Sequence, residues 1–117
     1  MLAPEHRLKN PELFRRAMRR GSHAGNALLV VHALAGEDLT ECLVGFVVPK
    51  KVYARAVDRN RTKRRLRHLM RERVSMFPKN SIVVVRALPG LRDASFDDLE
   101  DALDDAMKRV LKKMVRS

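Results

Sequence analysis

Residues 41–88 read ECLVGFVVPKKVYARAVDRNRTKRRLRHLMRERVSMFPKNSIVVVRAL, and the change of pattern inside this stretch decides the architecture. It opens on a β-length apolar run, residues 41–48, closed by Pro49, and ends on another, residues 81–88, closed by Pro89 and Gly90. Between the two the spacing is helical. Leu66, Leu69, Met70, Val74 and Phe77 fall on one side of a helix predicted over residues 54–77, which Pro78 stops. A strand, a helix and a strand in this order allow the two strands to be parallel.

At about 100° per residue, the same helix places Arg61, Arg64, Arg65, His68 and Arg71 opposite its apolar stripe. Arg59 and Lys63 fall toward the apolar side. They are expected to reach around the helix end or to lie beyond the sheet edge, where they would border a groove.

Outward from this core stretch, Asn10 followed by Pro11 reads as a helix N-cap with proline at the first helical position. Leu13, Phe14, Ala17 and Met18 then recur at helical spacing up to Gly21. Residues 27–34, ALLVVHAL, form another strand-length run, and the polar segment AGEDLT predicts a hairpin to residues 41–48. Ser95, with Asp98 three residues on, resembles a capping arrangement. It opens a final helix whose acids cluster at its start and whose bases cluster at its end, the polarity that complements the helix dipole. Helix, strand, strand, helix, strand and helix make an α+β domain with helices packed on a small sheet. The 117 residues suffice for one such domain, with residues 1–9 expected as a flexible lead-in.

A formal charge of +11 points to a polyanionic partner. Eleven Lys or Arg between residues 50 and 73 face only Asp58 and Glu72. A solvated helix normally intersperses acids for i,i+4 pairing, and this one holds none between Asp58 and Glu72. Guanidinium groups are planar, permanently charged forks suited to phosphate, so their excess over Lys favours RNA or DNA above a membrane surface. Lys50, Lys51 and the arginines at 15, 16, 19 and 20 extend the basic surface, and Phe14 is either core or a platform for an unpaired base.

Enzymatic signatures are absent from the sequence. His68 and Glu72 are four apart without a second ligand pair, and there is neither a Gly-rich phosphate loop nor a nucleophile motif. No catalytic residue and no protein metal site are expected. The one cysteine, Cys42, sits in an apolar run as a small buried hydrophobe. No apolar stretch approaches a membrane span or a signal peptide, which predicts a cytoplasmic protein.

The segment VGFVVPKKVYARAVDRNRTKRRLRHLMRE, residues 44–72, closely resembles the signature region of the bacterial ribonuclease P protein family. That pattern is an apolar strand ending in Lys-Lys, a spacer, and Arg-Asn-Arg-x-Lys-Arg-x-x-Arg opening a helix. HRLKNPELFRRAMRRG and SIVVVRALPG carry the similarity over nearly the whole chain. Met18 stands where a second phenylalanine is common, and His32 where an aromatic is frequent.

The resemblance implies a fold like the second domain of ribosomal protein S5, with a left-handed strand-helix-strand crossover against the general rule of handedness. It implies a protein, monomeric by itself, that assists a catalytic RNA. The RNA carries the Mg²⁺ ions and removes the 5′ leader of precursor tRNA. Arg59, Asn60, Arg61, Lys63, Arg64 and Arg67, joined by Arg65 from the same run, would bind the catalytic RNA. Phe14, Met18, His32, Lys50 and Lys51 would line the cleft for the leader. The alternative is a ribosomal or assembly protein bound to rRNA. A DNA-binding regulator is disfavoured, because an apolar strand rather than a helix precedes the basic helix.

Overall fold

The computed structural model describes residues 3–36 and 39–116. Helix α1 (Pro11–Arg20) begins as the sequence demands, with the Asn10 side chain accepting from the Glu12 N–H at 2.9 Å and Pro11 in the first turn. Three helices and four strands follow the order α1, β1 (Ser22–Gly25), β2 (Leu29–Leu34), β3 (Leu43–Val47), α2 (Ala56–Arg71), β4 (Ile82–Ala87) and α3 (Phe96–Arg116). The Ser95 hydroxyl caps α3 by accepting from the Asp98 N–H at 3.1 Å.

The sheet has the spatial order β1-β2-β4-β3. β3 and β4 run parallel, with Gly45 opposite Val84, as the strand-helix-strand segment allows. The expected hairpin between β2 and β3 does not form, because β4 lies between them and pairs antiparallel with β2. Ile82, Val83, Val84 and Val85 are all fully buried, so β4 needs cover on both faces and both edges, and only a central position supplies it. Part of the polar turn, Glu37 and Asp38, lies outside the described residues. β2 does have a hairpin partner, the short strand β1. Asn26 shapes that turn by accepting from the Leu28 and Leu29 N–H groups at 3.0 and 3.2 Å, and it donates to the Ala102 carbonyl of α3 at 2.9 Å.

Alternation along the strands divides the core. Val31, Ala33, Val83 and Val85 pack with Leu66 and Met70 of α2 and with Leu99, Leu103 and Met107 of α3. Ile82 and Val84 face the other way, toward Ala17 and Phe14 of α1 and toward Leu8. Helix α2 ends at Arg71, six residues short of the predicted end. Val74 opens a single 3-10 turn instead, and Phe77 still reaches the core, so the apolar stripe outlasts the helix. The N-terminal segment expected as a loose lead-in runs beside β3 from residue 7, where Leu8 is buried and its N–H donates to the Val44 carbonyl at 2.9 Å.

Candidate nucleic-acid interface

Helix α2 buries Thr62, Leu66, Leu69 and Met70, and its remaining side chains divide among three surroundings. Asn60, Arg61 and Arg64 stand on the exposed side, followed by His68 and Arg71. Lys63 and Arg67, one turn apart, lean the other way into a groove of about 260 Å³ between α2, β3 and α1. Arg59 curls back around the start of the helix, donating from Nη1 to the Tyr53 and Ala54 carbonyls at 2.8 and 3.0 Å. The angular reading of Arg59 and Lys63 therefore holds.

Arg65 departs from it. Expected on the outer face, it is half-buried and donates from Nη2 to the Ala94 carbonyl at 2.8 Å, tying α2 to the segment that leads into α3. Burial, and secondarily the nearby Arg61, lower its pKa from the ordinary arginine value. Its charge persists, since even a lowered guanidinium value stays well above neutrality.

The groove is floored by β3. At Gly45 an added Cβ would overlap the ring of Phe14, so glycine is what lets the aromatic ring approach the strand this closely. Phe14 and Phe46 supply apolar surface, while Arg7, Lys9, Lys63 and Arg67 supply positive charge, and no carboxylate is among the described residues that line the groove. The sequence reading missed Arg7 and Lys9, whose polar segment has no periodicity to place it. Phe46 was read only as part of a strand.

The other expected cleft residues are spread over the same side of the molecule. Met18, one turn beyond Phe14 on α1, is 37% exposed. His32 shares the sheet face on which α1 lies but is 7% exposed. Lys50 and Lys51 are exposed in the turn after β3 and do not line the groove. The structure thus joins Phe14 with Lys63 and Arg67 and leaves the two lysines apart.

Among the described residues no group of three His, Cys, Asp or Glu side chains is placed to hold a metal ion, and no helix is long and apolar enough to cross a membrane. Cys42 is buried, and burial with the neighbouring Glu41 pushes its thiol up to about 12.

A family model described as Ribonuclease P matches residues 2–111. The chain belongs to the ribonuclease P protein family. The ribonuclease P protein component of Streptomyces avermitilis is 50% identical over 95% of this chain and 96% of its own length. That of a Nocardioides species is 48% identical over 94% and 95%. Among solved structures, the ribonuclease P protein of Thermotoga maritima superposes with a TM-score of 0.75 at 25% identity, covering 89% of this chain and 96% of that one. The Staphylococcus aureus protein gives 0.77 at 23% identity, over 88% and 93%, and so speaks for the fold alone.

Proposed function

We propose that this chain is the protein subunit of a ribonuclease P ribonucleoprotein that processes precursor tRNA in the cytoplasm. In this reading the outer side of α2, with Asn60, Arg61 and Arg64, holds the catalytic RNA, and Arg59 from the start of the helix and Arg65 from its flank toward α3 add charge to that surface. The groove and the sheet face beside it take the single-stranded 5′ leader, with Phe14 as a stacking surface and Lys63 and Arg67 as phosphate contacts. Lys50 and Lys51 would meet the strand outside the groove.

The observation that carries the reading is the juxtaposition of exposed guanidinium groups on α2 that form no ion pair among the described residues and a basic groove containing an aromatic ring, with no carboxylate among its described lining residues. Folded RNA offers clustered phosphates to the first, and an extended strand offers alternating phosphates and bases to the second. The protein supplies binding and neutralises phosphate charge. The RNA would hold Mg²⁺ and carry out hydrolysis, and screening by the protein would lower the Mg²⁺ concentration that cleavage needs.

The test is reconstitution with a bacterial ribonuclease P RNA and a precursor tRNA at low Mg²⁺. Addition of the protein is expected to restore leader removal. Unchanged maturation, with the protein shown to be folded, would overturn the assignment.

A further inference from the structure

The first turns of α2 carry the open arginines, yet the helix does little to fix its own start. Its N-cap is Arg55, whose side chain makes no capping bond, where Ser, Thr, Asp or Asn would ordinarily hold the first free N–H groups. The hold comes from Tyr53, two residues earlier. This side chain is fully buried, and its hydroxyl donates at 2.7 Å to the carbonyl of Leu88, just past the end of β4. Burial pushes its pKa above the ordinary tyrosine value, so the hydroxyl keeps its proton and remains a donor across the neutral range.

The backbone of Tyr53 is tied as well. Its N–H donates to the Pro49 carbonyl at 2.9 Å, in the turn that follows β3, and its carbonyl accepts from Arg59 Nη1 at 2.8 Å. On the far side of the hydroxyl bond, the Leu88 N–H donates to the Leu28 carbonyl at 2.9 Å. A chain of hydrogen bonds therefore runs from the sheet through Leu88 and Tyr53 to the guanidinium of Arg59. A second tie lies farther along α2, where Arg65 donates to the Ala94 carbonyl at 2.8 Å. Both ties land on one strap, residues 88–94, which is pinned by the fully buried Leu91. Asn60, Arg61 and Arg64 stand between them.

We infer, resting on the RNA-binding reading of α2 given above, that Tyr53 is a positioning residue for that surface. It touches no RNA. Its bond to Leu88 fixes the carbonyl that tethers Arg59, and the tethered guanidinium holds the start of the helix in the geometry that meets phosphate. A surface ordered in advance avoids the entropy that an unfixed first turn would lose on binding.

The experiment compares wild type, Tyr53→Phe, Arg59→Ala and the double variant for affinity to a bacterial ribonuclease P RNA, at fixed salt and well below each unfolding midpoint. Tyr53→Phe keeps the ring and removes only the donor. It is expected to weaken binding about fivefold, the net weight of one hydrogen bond, and to add little once Arg59 is gone, because the tether it supports is already lost. Wild-type affinity in Tyr53→Phe, or losses that add in full, would overturn the positioning role. Val31→Ala, which thins the core at β2, should lower the midpoint and leave affinity alone. An equal affinity loss there would make Tyr53 an ordinary stability residue and overturn the role too. Hydrogen exchange on the free wild-type protein needs no variant: the amides of residues 59–62 are expected to be protected before any RNA is added. Unprotected amides would show that RNA orders this turn and would sink the inference. A protected wild-type protein without affinity for the RNA would overturn the reading of α2 itself, and the role of Tyr53 with it.

Discussion

Helices α2 and α3 are both densely charged, and they handle that charge in opposite ways. On α3 five of the charged side chains are engaged by the fold. Asp105 binds Arg109 at 2.7 Å, Glu100 and Asp104 each hold Arg73 at 2.7 Å, and Lys113 donates to the His23 carbonyl at 2.6 Å. On α2, none of the ion pairs among the described residues involves Arg59, Arg61, Lys63, Arg64, Arg65 or Arg67. Where Arg59 and Arg65 are anchored, they bind backbone carbonyls. A carbonyl orients a guanidinium without cancelling its charge, so these arginines are fixed in place and still attract phosphate. The contrast separates structural charge from charge kept for a partner, and it is visible within a few residues, between Arg71, exposed, and Arg73, clamped.

The largest effect should come from removing the open charges. Arg61→Ala combined with Arg64→Ala is expected to weaken binding to the catalytic RNA about a hundredfold at fixed salt, from roughly 1–2 kcal/mol per lost charge-assisted contact. Its urea unfolding midpoint should stay in place, and wild-type affinity in this variant would erase the distinction between the helices. Arg73→Ala should do the reverse. Its side chain is 13% exposed between two carboxylates, so its loss should cost about 2 kcal/mol of stability in a denaturant titration and leave RNA affinity unchanged. A stable Arg73→Ala protein that binds RNA poorly would invert the assignment.

Salt sharpens the comparison further. For Arg64→Ala the slope of log affinity against log salt should shrink by about 0.7–0.9, one phosphate contact, whereas Lys108→Ala on the exposed side of α3 should leave it alone. An equal change in both would mean diffuse attraction rather than a defined face. The smallest effect lies in acid. Hydrogen bonds from Arg109, then from Asn26, hold the Asp105 carboxyl below its usual value. A depressed carboxyl stabilises the fold above its unfolded pKa and loses that contribution as pH falls through the folded one, below about pH 4. Asp105→Asn should remove this part of the acid transition in a pH-dependent melt, and an unchanged profile would show that the α3 pair contributes nothing measurable.

Periodicity made the helices and the long strands legible, because Leu66, Leu69 and Met70, or the unbroken apolar run of β4, have no other way to be buried. It could not order the strands. β1, Ser-His-Ala-Gly, has neither the length nor the β-branched side chains of a strand, and it exists because β2 needs a partner on the edge away from β4. The hairpin expectation failed because chain proximity argued for β2 and β3, while the burial of β4 argued for its insertion between them. On α2, angle alone placed Arg61, Lys63 and Arg64 correctly. It misplaced Arg65, since the Ala94 carbonyl comes from a loop 29 residues away. The groove was half legible: Phe14 and Lys63 were chosen, but Arg7 and Lys9 enter it through a segment whose path is set by pairing with β3.

The seclusion of Cys42 has a practical corollary. Its sulfur is enclosed and stays protonated at ordinary pH, and the chain has no second cysteine. Thiol-directed dyes or spin labels would therefore pass it by in the native protein. A cysteine introduced on the solvent side of α2 becomes a single addressable attachment point, and the native residue need not be replaced first.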